Sequence, residues 1–269
     1  MRTVAELLAG SGLPRLEARM LLEQAARIGR TRQSTWPELE VPEADAARFD
    51  ALVARRLAGE PIAYLVGVRE FFGRDFHVAP GVLIPRPETE VLVEFALAHL
   101  PPQARCLDMG TGSGAIAVSI ALERPDTDMT ALDVSPAALA IASGNARDLG
   151  ARCRFLLSDW FAALEAGETF DLIASNPPYV ASGDPHLEQG DLRFEPPGAL
   201  TDFADGLQAI RLIVAGAVSR LRPEGWLAIE HGYDQGEACR TLFAAAGLER
   251  VATLHDLAGL ERVTVGQRA

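Results

Sequence analysis

The sequence predicts an α/β fold, a mostly parallel sheet with helices on both faces behind a small helical front piece. Three observations carry that reading. From residue 102 onward, short apolar runs at 104–109, 129–133, 154–157, 170–174 and 225–230 alternate with stretches of helical period, as in a sheet wound by crossover helices. The first run passes straight into Gly110-Thr111-Gly112-Ser113-Gly114 and then a helical stretch, a strand, turn and helix of the kind that cradles nucleotides. Residues 1–60, in contrast, show helical spacing alone.

A chain of 269 residues with 48% apolar content has room for one large domain or two, with a real core. Its 25 basic and 37 acidic residues leave a net charge of -12. A free-standing grip on nucleic acid rests on Lys and Arg neutralising phosphates, so direct nucleic-acid binding is disfavoured and a basic protein partner fits better. Cys106, Cys153 and Cys239 are odd in number and sit in apolar patterns, which marks them as small core residues rather than a disulfide or zinc set. The five histidines show no ligand spacing, and no metal is expected. The first residues lack a signal-peptide core, and no apolar run approaches the roughly 18 residues that cross a bilayer, so a cytoplasmic monomer without membrane attachment is expected.

In chain order, Thr3 caps a first helix over 4–9 and Pro14 opens a second, with Leu16, Met20, Leu21 and Ile28 on one face. A third runs from Pro42 through Phe49 and Val53 to Gly59, with a loop over 31–42 before it. This bundle, residues 1–60, is expected to recognise the substrate, since no chemistry-bearing pattern falls in it. Over 61–85 the period changes, and Glu70-Phe71-Phe72-Gly73 with Phe76-His77-Val78 predicts a β-hairpin linker. Residues 86–269 make the remaining domain. Pro87 starts a helix to Leu100 with acids in its first turn, and Arg86 and Thr89 are placed to reach the pocket formed by the next strand.

A second strand ends in Asp133, 19 residues after Gly114, a spacing that suits a carboxylate accepting both hydroxyls of an adenosine ribose. A dinucleotide site shares these features. Asp108 tilts the balance, because an acid just before the glycine loop repels a pyrophosphate but suits the ammonium of a methionine moiety, directly or through water. The glycine spacing also departs from G-x-G-x-x-G, so S-adenosylmethionine is favoured. Ser135-Pro136 caps a helix running to Gly150, on which Asn145 is expected to be a surface polar residue. The next strand ends in Ser158-Asp159-Trp160, where Asp159 is placed to accept from an adenine amino group and Trp160 to lie on the ring, a core Trp being the other reading.

The fourth strand runs into Ser175-Asn176-Pro177-Pro178-Tyr179. Two successive prolines offer no backbone N–H and hold φ fixed, so the chain leaves its strand there with bare carbonyls. The Asn176 side-chain carbonyl beside the Pro177 backbone carbonyl makes two acceptors for a planar NH2 group, over which Tyr179 is placed to stack. The same residues also suit a plain strand terminator with an Asn turn. Residues 180–204 form a long Gly-, Pro- and acid-rich segment containing Phe194-Glu195-Pro196-Pro197-Gly198-Ala199-Leu200, expected to act as a lid or binding loop. A helix over 206–221, a strand over 225–232, a helix over 235–246 and two antiparallel closing strands complete the domain.

Asp108 through Gly114, Asp133, Ser158-Asp159-Trp160, Asn176-Pro177-Pro178-Tyr179 and Phe194-Glu195-Pro196 with Ala199-Leu200 together resemble the motif series of the PrmC/HemK protein-glutamine N5-methyltransferases. Tyr64-Leu65, Glu70-Phe71 and residues 83–90 extend the likeness from about residue 60 to the end. The resemblance implies a seven-stranded Rossmann-like class I methyltransferase core, S-adenosylmethionine as methyl donor, and as substrate the glutamine of the Gly-Gly-Gln motif in class I peptide chain release factors. It implies that Gly110, Thr111, Gly112, Ser113, Gly114, Asp133, Trp160 and Asn176 line the cofactor and that Asn176, Pro177, Pro178 and Tyr179 hold the glutamine amide. Asp108, Asp159, Arg86 and Thr89 join the cofactor set by position, and Glu195 the substrate set. Met109 stands where an aliphatic Leu is expected, a tolerable swap. The alternatives are a nucleic-acid adenine N6-methyltransferase, whose flipped-out base presents the same planar NH2, and a non-catalytic S-adenosylmethionine-binding partner of the translation machinery. The acidic charge weighs against the first and the intact Asn-Pro-Pro-Tyr against the second.

Overall fold

The computed structural model describes residues 1–269. They form two compact units, one of residues 1–68 with 189–194, the other of residues 69–188 with 195–269.

The first unit holds β1 (Arg2–Thr3), α1 (Val4–Gly10), α2 (Arg15–Ala26), α3 (Arg30–Thr35), β2 (Glu40–Val41), α4 (Glu43–Leu57) and α5 (Ile62–Val66). Thr3 and Glu6 start α1 as a reciprocal capping box, the Glu6 N–H donating to Thr3 Oγ1 at 3.2 Å and the Thr3 N–H to Glu6 Oε2 at 2.8 Å. The loop expected over 31–42 is corrected in two places: residues 30–35 are helical, and 40–41 pair antiparallel with 2–3. The α3 sequence Arg-Thr-Arg-Gln-Ser-Thr has no apolar face to announce it. It is anchored instead by buried Gln33, whose Nε2 donates to Ile28 O at 2.7 Å and Arg19 O at 3.0 Å. Val4, Leu21, Leu22, Val41, Phe49 and Leu65 meet in one core. Residues 189–194 belong to this unit through Asp191, which accepts from Arg56 Nη1 at 3.0 Å, and Arg193, which donates to Ala58 O at 2.7 Å.

The second unit opens with the hairpin β3 (Val68–Phe71) and β4 (Arg74–His77), then a single 3-10 turn (Pro87–Thr89) leads into α6 (Glu90–His99). The strands β5 (Arg105–Met109), β6 (Asp128–Asp133), β7 (Cys153–Leu157), β8 (Phe170–Ser175), β9 (Leu221–Glu230), β10 (Glu249–His255) and β11 (Glu261–Gln267) form one seven-stranded sheet in the order β10-β11-β9-β8-β5-β6-β7. Strands β9, β8, β5, β6 and β7 run parallel, and β11 is antiparallel to both of its neighbours. From β5 the chain winds first toward β7 and then, through β8, in the other direction. That reversal opens a crevice at the carboxyl ends of the central strands.

Helices α7 (Ala115–Glu123), α8 (Pro136–Leu149), α9 (Pro197–Leu200), α10 (Gln208–Arg220) and α11 (Gly236–Ala245) complete the unit. Successive strand residues alternate between the faces: Cys106, Leu172, Ala228 and Val263 pack with α6 and α7, whereas Leu107, Ile173, Leu227 and Ile229 pack with α10 and α11. All three cysteines are free thiols, and burial pushes each up to about 12, which leaves them unreactive. No helix is long and apolar enough to cross a membrane.

Phe243 of α11 is fully buried against β11, where a Cβ on Gly266 would come within 2.8 Å of its ring. Phe243→Ala is expected to destabilise the sheet unit by about 3–5 kcal/mol, read as a lowered midpoint in urea unfolding followed by near-UV circular dichroism.

Candidate active site

A cavity of about 300 Å³ lies at the carboxyl ends of β5, β6, β7 and β8. The glycine loop forms its floor. The N–H groups of Gly110 and Thr111 both donate to Leu132 O, at 2.9 and 2.8 Å, which curls the loop back over β6. Gly110 and Gly112 adopt φ of +73° and +57°, and a Cβ at either would meet only open space, the approach a ligand needs. Gly110, Thr111, Gly112 and Ser113 border the cavity; Gly114 lies against α8, where a Cβ would come within 3.1 Å of Ala142 Cβ. Asp133 borders it too. Its Oδ2 accepts from the Gly112 N–H and its Oδ1 from the Ser135 N–H, both at 2.9 Å, so two backbone groups fix the carboxylate while each oxygen keeps a further lone pair.

Asp108 does not border the cavity. It is fully buried beneath the loop and outside the cavity wall, its Oδ2 accepting from the Thr111 hydroxyl at 2.6 Å while Oδ1 makes no hydrogen bond. Burial pushes its carboxyl up to about 7, an effect partly offset by the Thr111 hydroxyl and the nearby Ala117 amide. Asp108 therefore braces the loop from below. Asp159 and Trp160 both border the cavity, and the Trp160 ring also packs into the α10–α11 core. Trp160 is held at φ +46° by Ser158, whose hydroxyl donates to Trp160 O at 2.6 Å and accepts from the Ala163 N–H at 3.0 Å.

The opposite wall is the turn after β8. Ser175 Oγ donates to Met109 O at 2.7 Å and ties that turn to β5. Asn176 and Pro178 border the cavity, Pro177 is buried, and the Pro177 carbonyl accepts no hydrogen bond from within the chain. Asn176 Nδ2 donates to Thr89 Oγ1 at 3.2 Å, which commits the nitrogen end of its amide and leaves the oxygen end available. Tyr179, expected to stack on the bound group, lies outside the cavity wall. Its hydroxyl is 3.3 Å from Glu230 Oε1 and its carbonyl accepts from Gln235 Nε2 at 3.0 Å, so it props the turn from behind. Gly206 passes so close that a Cβ there would meet Tyr179 O at 2.4 Å.

Arg86 and Thr89 border the cavity as expected of their position. Glu195 does not. It is buried, with Oε2 accepting from the Ile84 N–H at 3.1 Å and Oε1 pairing with Arg86, so it fixes the linker against the 194–200 segment. Pro196, Gly198 and Ala199 of that segment then close the cavity wall. The ends of the longer 180–204 loop are pinned together, Val180 N–H to Leu200 O at 2.9 Å and Ser182 N–H to Ala204 O at 2.8 Å.

Three supporting residues escaped sequence reasoning. Glu230 and Gln235 hold Tyr179; an acid closing the buried run Leu227-Ala228-Ile229 was the available signal, in the same position as Asp133 on its own strand. Asn145, expected at the surface, is 1% exposed. It accepts from the His77 N–H at 2.8 Å and donates to His77 O at 3.0 Å and Ser113 O at 2.8 Å, clasping the β3–β4 hairpin to the glycine loop. Its helix gave no hint, because the partners lie far away in sequence. Asn145→Ala strands these groups, each at about 1–3 kcal/mol, and is expected to lower the melting temperature and raise the hydrogen-exchange rate of the 110–114 loop.

The chain's residues 1–67 match the model of the PrmC N-terminal domain, and residues 87–190 that of the methyltransferase small domain. It is 55% identical to a release factor glutamine methyltransferase of Bordetella pertussis, over 99% of each chain. Among solved structures, a methyltransferase from Pyrococcus furiosus shares the fold at a TM-score of 0.57 and 18% identity, covering 80% of this chain and 97% of that one. The Thermus thermophilus 16S rRNA N2 G1207 methyltransferase, solved with AdoMet and guanosine, does so at a TM-score of 0.55 and 22% identity, covering 75% of this chain and 50% of that one. A likeness at that identity across the whole chain, joined to this sheet order and this cavity, identifies the family: the chain belongs to the release factor glutamine methyltransferases.

Proposed function

We propose that the chain transfers the methyl group of S-adenosylmethionine to the side-chain nitrogen, N5, of the glutamine in the Gly-Gly-Gln motif of class I release factors. Asn176 carries this reading. It borders the cavity with its amide nitrogen committed to Thr89, so the oxygen is left as acceptor for a planar NH2 group. The name of the Bordetella relative supports the same acceptor.

The residues present fit the cofactor. Open space over Gly110 and Gly112, a carboxylate at Asp133 with lone pairs to spare, and Trp160 and Asp159 on the same cavity suit a methionine, ribose and adenine in turn. When bound, the cofactor supplies an electrophilic methyl group on a sulfonium. Asp133 would accept the ribose hydroxyls, and Trp160 would cover the adenine plane. Asn176 Oδ1 and Pro177 O take the two hydrogens of the substrate amide. This orients the nitrogen lone pair, otherwise delocalised into the carbonyl, and stabilises the positive charge that grows on nitrogen. Each hydrogen bond to a charged group contributes roughly 1.5–3 kcal/mol, whereas alignment of reacting atoms contributes roughly 7–11 kcal/mol. As the nitrogen–methyl bond forms the sulfur–methyl bond breaks, S-adenosylhomocysteine leaves as a neutral thioether, and the methylated nitrogen, now strongly acidic, loses its extra proton to water; positioning therefore dominates, and no strong general base is needed.

The first unit, carrying the PrmC N-terminal match, is assigned recognition of the release factor outside the tripeptide. With the same enzyme, an intact release factor is expected to show a much lower KM than a short Gly-Gly-Gln peptide; equal values would count against that assignment. Asn176→Ala is expected to abolish methylation while leaving cofactor binding measurable by calorimetry. The readout is mass spectrometry for one added methyl group on the Gly-Gly-Gln glutamine, with DNA and RNA offered in parallel. Near-normal turnover by the variant, or methylation of the nucleic acids instead, would sink the reading.

A further inference from the structure

The geometry points to a docking surface beside the acceptor turn, on which Phe203 and Tyr233 hold the stretch of the protein substrate that flanks its target glutamine, a stretch carrying Arg or Lys; this rests on the acceptor role given above to the Asn-Pro-Pro-Tyr turn. Two strips of chain leave the cavity side by side. Pro178 borders it and leads into residues 179–182; Ala199 borders it and leads into residues 200–204. The strips are joined by the Val180 N–H to Leu200 O at 2.9 Å and the Ser182 N–H to Ala204 O at 2.8 Å, with a parallel bridge between Val180 and Thr201. Phe203 follows Ala199 by four residues, so it lies within about 14 Å of the cavity wall even along an extended chain. The turn after β9 meets the same strips. Gln235 Nε2 donates to Tyr179 O at 3.0 Å and to Gly206 O at 3.3 Å, and Tyr233 stands two residues before it. All of these residues belong to the second unit.

Phe203 is 68% exposed and Tyr233 62%. Phe203 also holds φ at +59°, a region that a bulky residue enters only under constraint. The constraint is explicit. The Phe203 N–H donates to Thr201 Oγ1 at 3.0 Å, and the Asp202 carboxylate accepts from the N–H groups of Ala204 at 2.8 Å, Gly206 at 3.0 Å and Gln208 at 2.7 Å. The turn thus fixes an aromatic ring in water in a strained backbone, and the ring belongs to neither core of its unit, so no packing within the chain offsets the strain. Contact with a partner does: exposed rings with few rotatable bonds are what interface hot spots are made of. Charge narrows the partner. Residues 201–206 and 232–237 contain Asp202, Asp205, Asp234 and Glu237 and no basic residue. Asp205 is paired with Arg211 at 2.7 Å and Asp202 is taken up by backbone groups, which leaves exposed Asp234 and Glu237 to attract a cation. A partner Arg or Lys held there can lie over the face of Phe203 or Tyr233. A nucleic acid, or a second copy of this chain at -12, is repelled. The occupant is therefore the protein chain on either side of the glutamine, which leaves the cavity along its rim, and this is the part of the rim tied to the acceptor turn itself.

Steady-state methylation of an intact release factor and of a blocked Gly-Gly-Gln tripeptide tests this. Phe203→Gly removes the ring and relieves the positive φ. It is expected to raise KM for the release factor about 10-fold, with kcat, cofactor Kd and tripeptide kinetics unchanged and the melting temperature not lowered. Tyr233→Ala is expected to raise the same KM, and Phe203→Tyr to keep it near the wild-type value. In wild-type enzyme KM for the release factor is expected to rise with salt, and Asp234→Asn combined with Glu237→Gln to flatten that rise. A wild-type KM for the release factor in both Phe203→Gly and Tyr233→Ala would overturn the docking surface and leave the acceptor reading standing. An equal loss on the tripeptide would overturn it as well, by placing the effect in the cavity. A wild-type dimer in sedimentation that Phe203→Gly abolishes would give the surface to a second copy, against the proposal. Wild-type enzyme that leaves the release factor unmethylated would remove the acceptor reading and this surface together.

Discussion

Helices seal both faces of the seven-stranded sheet, and the site depends on that constraint. A strand buried on two sides has little room for polar side chains along its length, since each needs a partner inside an apolar core, as Thr130 finds in Arg154. Polar groups are pushed to the carboxyl ends of the strands. Asp108 falls at the end of β5, Asp133 at the end of β6, Ser158 just after β7, Ser175 and Asn176 at the end of β8, and Glu230 at the end of β9. Because the central strands are parallel and in register, these ends share one edge, and the winding reversal at β5 opens the cavity there.

What distinguishes the acceptor wall is rigidity obtained from several directions. The two prolines remove backbone freedom within the turn, Ser175 ties it to β5, Thr89 holds the Asn176 amide, and Gln235 and Glu230 hold Tyr179 at its two polar ends. Gly206 lets the chain before α10 press directly on the Tyr179 carbonyl. An amide nitrogen is a weak nucleophile, so a site that works by alignment gains most from a turn that does not move. The glycine loop is braced in the same spirit, by Asp108 from below, Asp133 from the side and Asn145 from the hairpin.

Buried acids take different states according to their partners. Glu195 faces the Arg86 guanidinium and a backbone N–H, so both of its buried oxygens have partners. Asp108 and Glu230 have hydroxyls for partners, and burial moves both toward neutrality. Glu168, at the opposite edge of the sheet, takes Arg105 and Arg154 together and is held below the usual carboxylate range despite its burial. The net charge of -12 is therefore not uniform in effect. The acids in ion pairs hold structure, whereas those facing hydroxyls sit beside the cavity and can change state near neutral pH.

By itself the sequence determined the alternation of strands and helices, the capped starts at Thr3 and Ser135, the glycine loop, Asp133 and the Asn-Pro-Pro-Tyr turn. All of these are short-range: periodicity, caps and turn chemistry are written within a few residues of where they act. The polar α3 helix was invisible for the matching reason, since Gln33 finds its partners in α2 and the turn after it. Only the tertiary structure decided which polar residues meet. Thr89 reaches Asn176 across 87 residues, Asn145 reaches His77 across 68, and Tyr179 reaches Glu230 across 51. Such pairs are set by strand order and register, which no local pattern records. That is why Asp108, Tyr179 and Glu195 lie behind the cavity wall and not on it, and why Glu230 is found beside Tyr179.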